Sequence, residues 1–474
     1  TVKAEGDPLE GNDTYCKLFE VVHAMAGTYT IGTLYQGSSR NYTTFQDALN
    51  DLYLRGLTGP VTFELTDAYY DIGNINSPFP ALDLSSKIIG VSPQNTITFK
   101  PSTMRSLSKG SITVKLSSGS GIGILFGQNS SPMNSYAPVL EVIPSLVRKY
   151  ANSDGYIIFD GGQQKSIKFV LNTNSPFRSV FYLGNGASNI KIQNCIITNF
   201  DDNNISRRAS LPLTLYNTAL SMFQFQPDIR PGNETYSAAI VLRSKAPTNK
   251  DDETSNSFNL DTLPNANNVI KGNEISGFGY GIVSLGIGPL FNQGEAAYKR
   301  YYNKNNEISN NTIYNVYRAG IFLGHEEGSK VVQNRIYNVS GLSGYDAAGI
   351  ILGGDRRTGY NGYNTIGISV DGNEISGVNS SIASYGIKVE QARNSYPFSN
   401  PSQVFYPDVP ENSKIFNNII WGLNPTAQNA NRAGIYLCTE RGASPINPRY
   451  TGYYTRNDQI INNTIIISNV ASLT

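Results

Sequence analysis

The chain of 474 residues is poor in charge, histidine and cysteine. Only 15% of its residues are charged, against roughly 25% in an average soluble protein, and 37 Lys and Arg nearly cancel 36 Asp and Glu. A nucleic-acid partner is excluded on that ground, because phosphate backbones are met by clustered cations and no basic stripe exists. Two histidines, His23 and His325, and three cysteines, Cys16, Cys195 and Cys438, cannot furnish a three-histidine metal centre or a four-cysteine zinc site. Three thiols far apart in sequence make neither a disulfide framework nor Cys-x-x-Cys chemistry, so they leave the redox compartment open. No run approaches the roughly 18 consecutive apolar residues that span a bilayer, so no transmembrane segment is expected. The chain begins at Thr1 without a charged-then-apolar leader, as expected of a mature or trimmed product.

Length alone suggests about three domains, but repeats override that prior. From about residue 180 the phrase Asn-x-Ile returns: Asn194-Cys195-Ile196, Asn273-Glu274-Ile275, Asn311-Thr312-Ile313, Asn334-Arg335-Ile336, Asn373-Glu374-Ile375, Asn418-Ile419-Ile420 and Asn463-Thr464-Ile465. A second phrase falls between copies, at Gly281-Ile282, Gly320-Ile321, Gly349-Ile350, Gly386-Ile387 and Gly434-Ile435. Both read as short strands. The closest Asn phrases lie 23 residues apart, within the solenoid range and too short for a strand-helix-strand crossover. The fold class expected is all-β, a right-handed parallel β-helix. Its asparagines stack at a corner, where amide bonds amide and left-handed backbone is tolerated. Longer periods locate insertions at 286 to 307, 353 to 368, 391 to 413 and 439 to 459, all after the Gly-Ile strand and therefore on one side of the coil.

Upstream, residues 44 to 57 form one amphipathic helix, with Thr44 and Asp47 as a capping pair and Phe45, Ala48, Leu49 and Leu52 on one face. Such a helix covers the open apolar end of a coil. Val61, Phe63 and Leu65, then Ile97 and Phe99, Ile112 and Val114, and Ile157 to Phe159 read as early turns. The expected organisation is an N-terminal segment with its capping helix over 1–65 and a β-helix over 66–474.

The runs Gly27-Thr-Tyr-Thr-Ile-Gly32, Tyr42-Thr-Thr-Phe-Gln-Asp-Ala48, Gly56-Leu-Thr-Gly-Pro-Val-Thr-Phe63, Asn95-Thr-Ile-Thr-Phe-Lys100 and Tyr156-Ile-Ile-Phe-Asp-Gly161 carry a resemblance. This wording resembles the opening of large secreted right-handed β-helix proteins of Bacteroidota and related phyla, the cargo type of type IX secretion. The resemblance covers most of residues 27 to 470 and implies export to an extracellular or outer cell-surface location. It carries no activity, because the scaffold hosts lyases, hydrolases, adhesins and inert stalks alike. The sorting domain that such cargo carries is not visible here. Asn463 to Asn469 still reads as a repeat phrase, so the coil is expected to continue beyond Thr474 or to be capped by a partner.

Candidate chemistry is sparse. Counting from each Gly-Ile glycine, the sixth position gives Glu326, Asp355, Ala392 and Glu440, and the seventh gives Glu327, Arg356, Arg393 and Arg441. On stacked turns, paired carboxylates could serve a glycosidase, and Arg beside a carboxylate could stabilise the enolate-like charge of a lyase reaction. His325, in Gly324-His325-Glu326-Glu327, could act as acid or base. The plainer reading is mutual neutralisation along a solvent-facing edge, and the paired Asp and Gly-His-Gly signatures of pectin hydrolases are absent. Tyr301, Tyr302, Tyr360, Tyr363, Tyr406, Tyr450, Tyr453 and Tyr454 crowd the insertions, where they bind sugar rings, meet a protein or pack loops onto the coil. No cofactor is expected; Asp160-Gly-Gly and Asp371-Gly-Asn give calcium no support, being turn sequences first. The function expected is structural or adhesive, with glycan or surface-protein partners or self-assembly through the Tyr-rich side. The alternative is a polysaccharide lyase or glycoside hydrolase. A trimeric tailspike-like fibre needs an apolar outer face, against which the polar middle positions of Asn-x-Ile argue.

Overall fold

The computed structural model describes residues 23–104, 107–127, 155–184, 186–200, 236–243, 264–286, 288–290, 299–341, 345–354, 364–394, 411–427, 430–438, 450–453 and 455–467. The chain coils into a right-handed parallel β-helix with three sheets of 12, 10 and 9 strands, stacked in register. The shortest turn shows the plan: Glu307–Ser309 lies in the first sheet, Thr312–Val316 in the second and Ala319–Gly324 in the third, before Lys330–Val332 opens the next turn. Each strand alternates, because side chains on a pleated backbone point to opposite faces. Ile308, Ile313, Ile321 and Leu323 enter one continuous core.

The two recurring phrases are halves of one packing device. A Cβ on Gly349 would lie 2.4 Å from Cγ2 of Ile375 and 2.8 Å from the Gly386 carbonyl. Gly281, Gly320, Gly386 and Gly434 stand in the same relation to Ile313, Ile336, Ile420 and Ile465. Every Gly-Ile glycine thus makes room for the Asn-x-Ile isoleucine of the following turn.

Between first and second sheets, the buried ladder Asn273, Asn311, Asn334, Asn373, Asn418 and Asn463 passes each amide N–H to the next amide oxygen at 2.9 to 3.1 Å. The left-handed residue stands just before each ladder position: Gly272, Asn310, Gln333, Gly372, Asn417 and Asn462 all have φ between 53° and 66°. This corrects the first phrase. Ile196 pairs with Glu274, so Cys195 occupies the ladder position and Asn194 the left-handed one. The Cys195 N–H bonds the Asn273 amide oxygen at 3.0 Å. Its buried thiol is held well above the ordinary pKa by desolvation.

At the N-terminal end the helix Phe45–Arg55 forms as expected. The Thr44 hydroxyl accepts from the Asp47 N–H, and Phe45, Ala48, Leu49 and Leu52 are buried. Phe45 stacks on Phe99, which lies in a column with Phe63 and Phe159 at 5.1 and 4.8 Å. The coil begins before this helix, since Met25–Ile31 already pairs with Leu57–Leu65 in the first sheet. The insertions after Leu285, Gly353, Glu390 and Leu437 all follow third-sheet strands and share one side. Two of them meet there, as Ala392–Asn394 pairs antiparallel with Tyr450–Tyr453.

Because the glycine and isoleucine interlock, Gly349→Ala is expected to cost about 1–3 kcal/mol of stability as an overpacked core does. Ile375→Ala should then cost less in that background than alone, a coupling that a denaturant double-mutant cycle measures.

Candidate functional site

His325 and Glu326 lie at the corner between third and first sheets, in a small sheet of Asn303–Lys304, Glu326–Glu327 and Thr365–Ile366. Both are buried, which overturns the solvent-facing reading of this segment. A second ladder runs here: the Asn268 amide reaches the Asn306 amide oxygen at 3.0 Å, and the Asn306 backbone N–H reaches the Ser329 hydroxyl at 2.8 Å. Serine is too short to accept the Asn306 side-chain N–H as well. Glu326 fills that place, accepting from the Asn306 amide and Ser329 hydroxyl at 2.7 Å and from the Ser284 hydroxyl at 2.8 Å. Burial holds its carboxyl above the ordinary range, against the hydrogen bonds that lower it. All these contacts are internal, so Glu326 completes a ladder and faces no ligand.

The polar column counted from the glycines is not a column. Glu326 pairs with Thr365, because the next turn resumes only after the insertion and the count from Gly349 has lost register by then. Asp355, Arg356, Glu440 and Arg441 lie outside the described residues, as do Tyr360, Tyr363, Tyr406 and Tyr454. Arg393, Tyr450 and Tyr453 fall in the antiparallel pair at the base of two insertions, and Tyr301 ends the strand Lys299–Tyr301, which pairs with Gly288–Leu290. Tyr302 is buried rather than offered to a ligand: its ring lies against His325, and its hydroxyl donates to the Asn364 amide oxygen at 2.5 Å. Asp160 makes the turn expected of it, taking the Gly162 N–H at 2.8 Å.

A different cluster forms on the outer face of the third sheet. This face is a second buried cluster, with Tyr280, Val283, Phe322, Ile351 and Tyr385 packed together. Within it, Arg318 Nη2 lies 2.8 Å from Asp346 Oδ1, and Lys388 Nζ lies 2.9 Å from Asp346 Oδ2 and 3.2 Å from Glu390 Oε1. The four groups come from three successive turns and alternate in sign. Their side chains are between 0% and 6% exposed, so water does little to screen them. Lys388 also lies 6.0 Å from the Tyr385 ring centre, and Tyr385 stacks on Tyr436 at 4.7 Å. Burial, then the neighbouring Cys438, Tyr385 and Glu390, push the Tyr436 hydroxyl up to about 12. Tyr436 itself is half-buried, and Asn431 and Arg432 on the same strand are exposed.

Chemically, the four charges are engaged with one another beneath the surface, and what this arrangement presents outward is the half-buried Tyr436 beside exposed Asn431 and Arg432. Sequence reading missed it. The available signal was Gly386-Ile-Lys-Val-Glu390, where a lysine stands in an otherwise apolar column. Register aligns Lys388 with Ile351, Phe322 and Val283. Arg318 and Asp346 sit in turns whose meeting no spacing announces.

No protein-family model matches the chain, and no curated protein matches it. Among solved structures, an alginate lyase from a Paenibacillus species is similar over 86% of this chain and 99% of its own, with 12% identity and a TM-score of 0.39. The Streptococcus pneumoniae surface protein and adhesin PfbA is similar over 89% and 95%, with 11% identity and a TM-score of 0.36. The catalytic domain of a GH87 α-1,3-glucanase is similar over 95% and 70%, with 12% identity and a TM-score of 0.28.

Burial pulls the His325 pKa from 6.5 down to about 3, opposed by the contact with Asn364. The neutral ring therefore stabilises the fold fully above about pH 6.5, and that contribution is lost as pH falls toward 3. Stability of the protein relative to His325→Asn, which suits the left-handed backbone there (φ 48°), should drop by on the order of a few kcal/mol between pH 7 and pH 4. Thermal unfolding at both pH values measures the difference.

Proposed function

We propose that the protein is an extracellular or cell-surface β-helix that binds an extended polysaccharide on its insertion side. Tyr436, with Asn431 and Arg432 beside it, is its contact point, and the buried Arg318–Asp346–Lys388–Glu390 network and Tyr385 hold that point from beneath. The observation that carries this reading is the network itself. Four charges on three successive turns converge in a face otherwise built from apolar residues and tyrosine. Buried ion pairs add little to stability compared with well-packed apolar residues, so we read this network as a support that holds Tyr436 for a ligand. The resemblance of the opening runs to secreted Bacteroidota proteins supports an outside location and export of the type IX kind.

Cleavage of the bound glycan is the second reading. Lys388 touches Asp346 and Glu390 together, so their nearest oxygens lie no more than about 6 Å apart, near the separation of paired glycosidase carboxylates. Binding ranks first because each carboxylate is already engaged by a cation.

Incubation with a panel of neutral and anionic polysaccharides, scored for retention and for cleavage, tests both. Lys388→Met should weaken retention roughly tenfold, as loss of the support beneath a central contact does, with Lys388→Arg weakening it less. Equal retention by a folded Lys388→Met protein would sink the binding site. Cleavage by the native chain that Asp346→Asn abolishes would establish the second reading.

A further inference from the structure

The outer face of the second sheet carries a strip that the third-sheet site does not use. Register stacks Thr198, Ser276, Tyr314, Tyr337, Ser376, Trp421 and Ile466 in one outward column. Tyr314, Tyr337 and Trp421 are half-buried, and Trp421 is the single tryptophan of the chain. The two tyrosine rings stand on successive turns, 5.2 Å apart and within 5° of parallel. Ser376 interrupts the aromatic run, with Gly377 beside it. The interruption leaves a gap in the aromatic column between Tyr337 and Trp421, which register places two turns of about 4.8 Å apart. That is room for one six-membered ring held between two aromatic side chains at ordinary contact distances.

The flanks define the occupant. On one side the charges are paired: Lys109 with Glu274 at 2.5 Å, and Arg335 with Glu374 at 3.3 Å. The Arg335 guanidinium also lies 5.4 Å from the Tyr337 ring centre. On the other side stand exposed Asn315 and Asn338, whose amides meet each other. Aromatic faces among paired charges and amides complement a ligand that is neutral overall, rich in hydroxyls and flat on its C–H faces. Beside Tyr337 and Ser376 the Arg335 and Glu374 charges cancel, so a polyanion would find no excess of cations there. A protein partner would need about 800 Å² of surface per side, where this column offers three rings among serines and paired charges.

We infer that this strip is a second binding site, for a neutral polysaccharide, with Tyr337 and Trp421 clasping one sugar ring over Ser376. It lies on a different sheet from the network around Lys388, so either site can fail alone.

Because Trp421 is the single indole, its fluorescence reports this site without any substitution. Titration of the native chain with soluble neutral glucans, xylan and mannan should change the emission saturably with at least one of them, and alginate should leave it unchanged. Trp421→Ala and Tyr337→Ala should each weaken retention of that glycan roughly tenfold, and Ser376→Phe, which fills the gap, should do the same. Lys191→Ala, on the exposed face of the first sheet, should keep the emission change. An emission that no neutral glycan moves, a response to alginate alone, or full retention by folded Trp421→Ala and Tyr337→Ala proteins would overturn the proposal.

Discussion

One methyl group in each of five successive turns, Cγ2 of Ile313, Ile336, Ile375, Ile420 and Ile465, holds the later coil together by filling the space above a glycine of the turn before. Neither residue can be changed alone, because a Cβ at the glycine would meet backbone as well as that methyl. The contact also fixes register. A strand that slipped by one residue would turn its isoleucine outward and set a polar side chain against the glycine. With register fixed on the inside, the columns of side chains on the outside are fixed too, and every feature assigned to function here is such a column.

The interior was legible in the sequence because it repeats. Seven Asn phrases and five Gly-Ile phrases predicted the stacked turns, the corner ladder and the shared side of the insertions. The one slip, at Asn194, arose because Cys195 occupies a ladder position without an amide, so the neighbouring left-handed asparagine took its place in the pattern. The site was much less legible. Counting forward from a glycine works only while the chain stays in the coil, and it paired Glu326 with Asp355 where the structure pairs it with Thr365. Arg318 and Asp346 come from different turns, and only the three-dimensional path brings them within 2.8 Å.

The three outer faces then separate by chemistry. The first sheet shows water Lys191, Lys330 and Lys414, the ordinary solution for a solvated face. The second carries half-buried aromatic rings between paired charges. The third is buried and holds an ion network within it. A coil needs none of these differences to stand, since its stability comes from the common interior and the ladders.

The buried charges of this protein are of two kinds, and the coil itself tells them apart. Glu326 stands where the neighbouring ladder positions already demand an acceptor, and three uncharged donors surround it. A polar atom there satisfies the backbone corner and follows from the fold. Lys388 stands in a column where the preceding turns place Ile351, Phe322 and Val283, all fully buried. The fold's own answer at that position is an apolar side chain, and replacing a buried ion pair by such a group is often neutral or stabilising. Lys388 therefore departs from the apolar column that carries it. Its partners Asp346 and Glu390 depend on that departure, since without the ammonium each would lose a close opposite charge within the buried face.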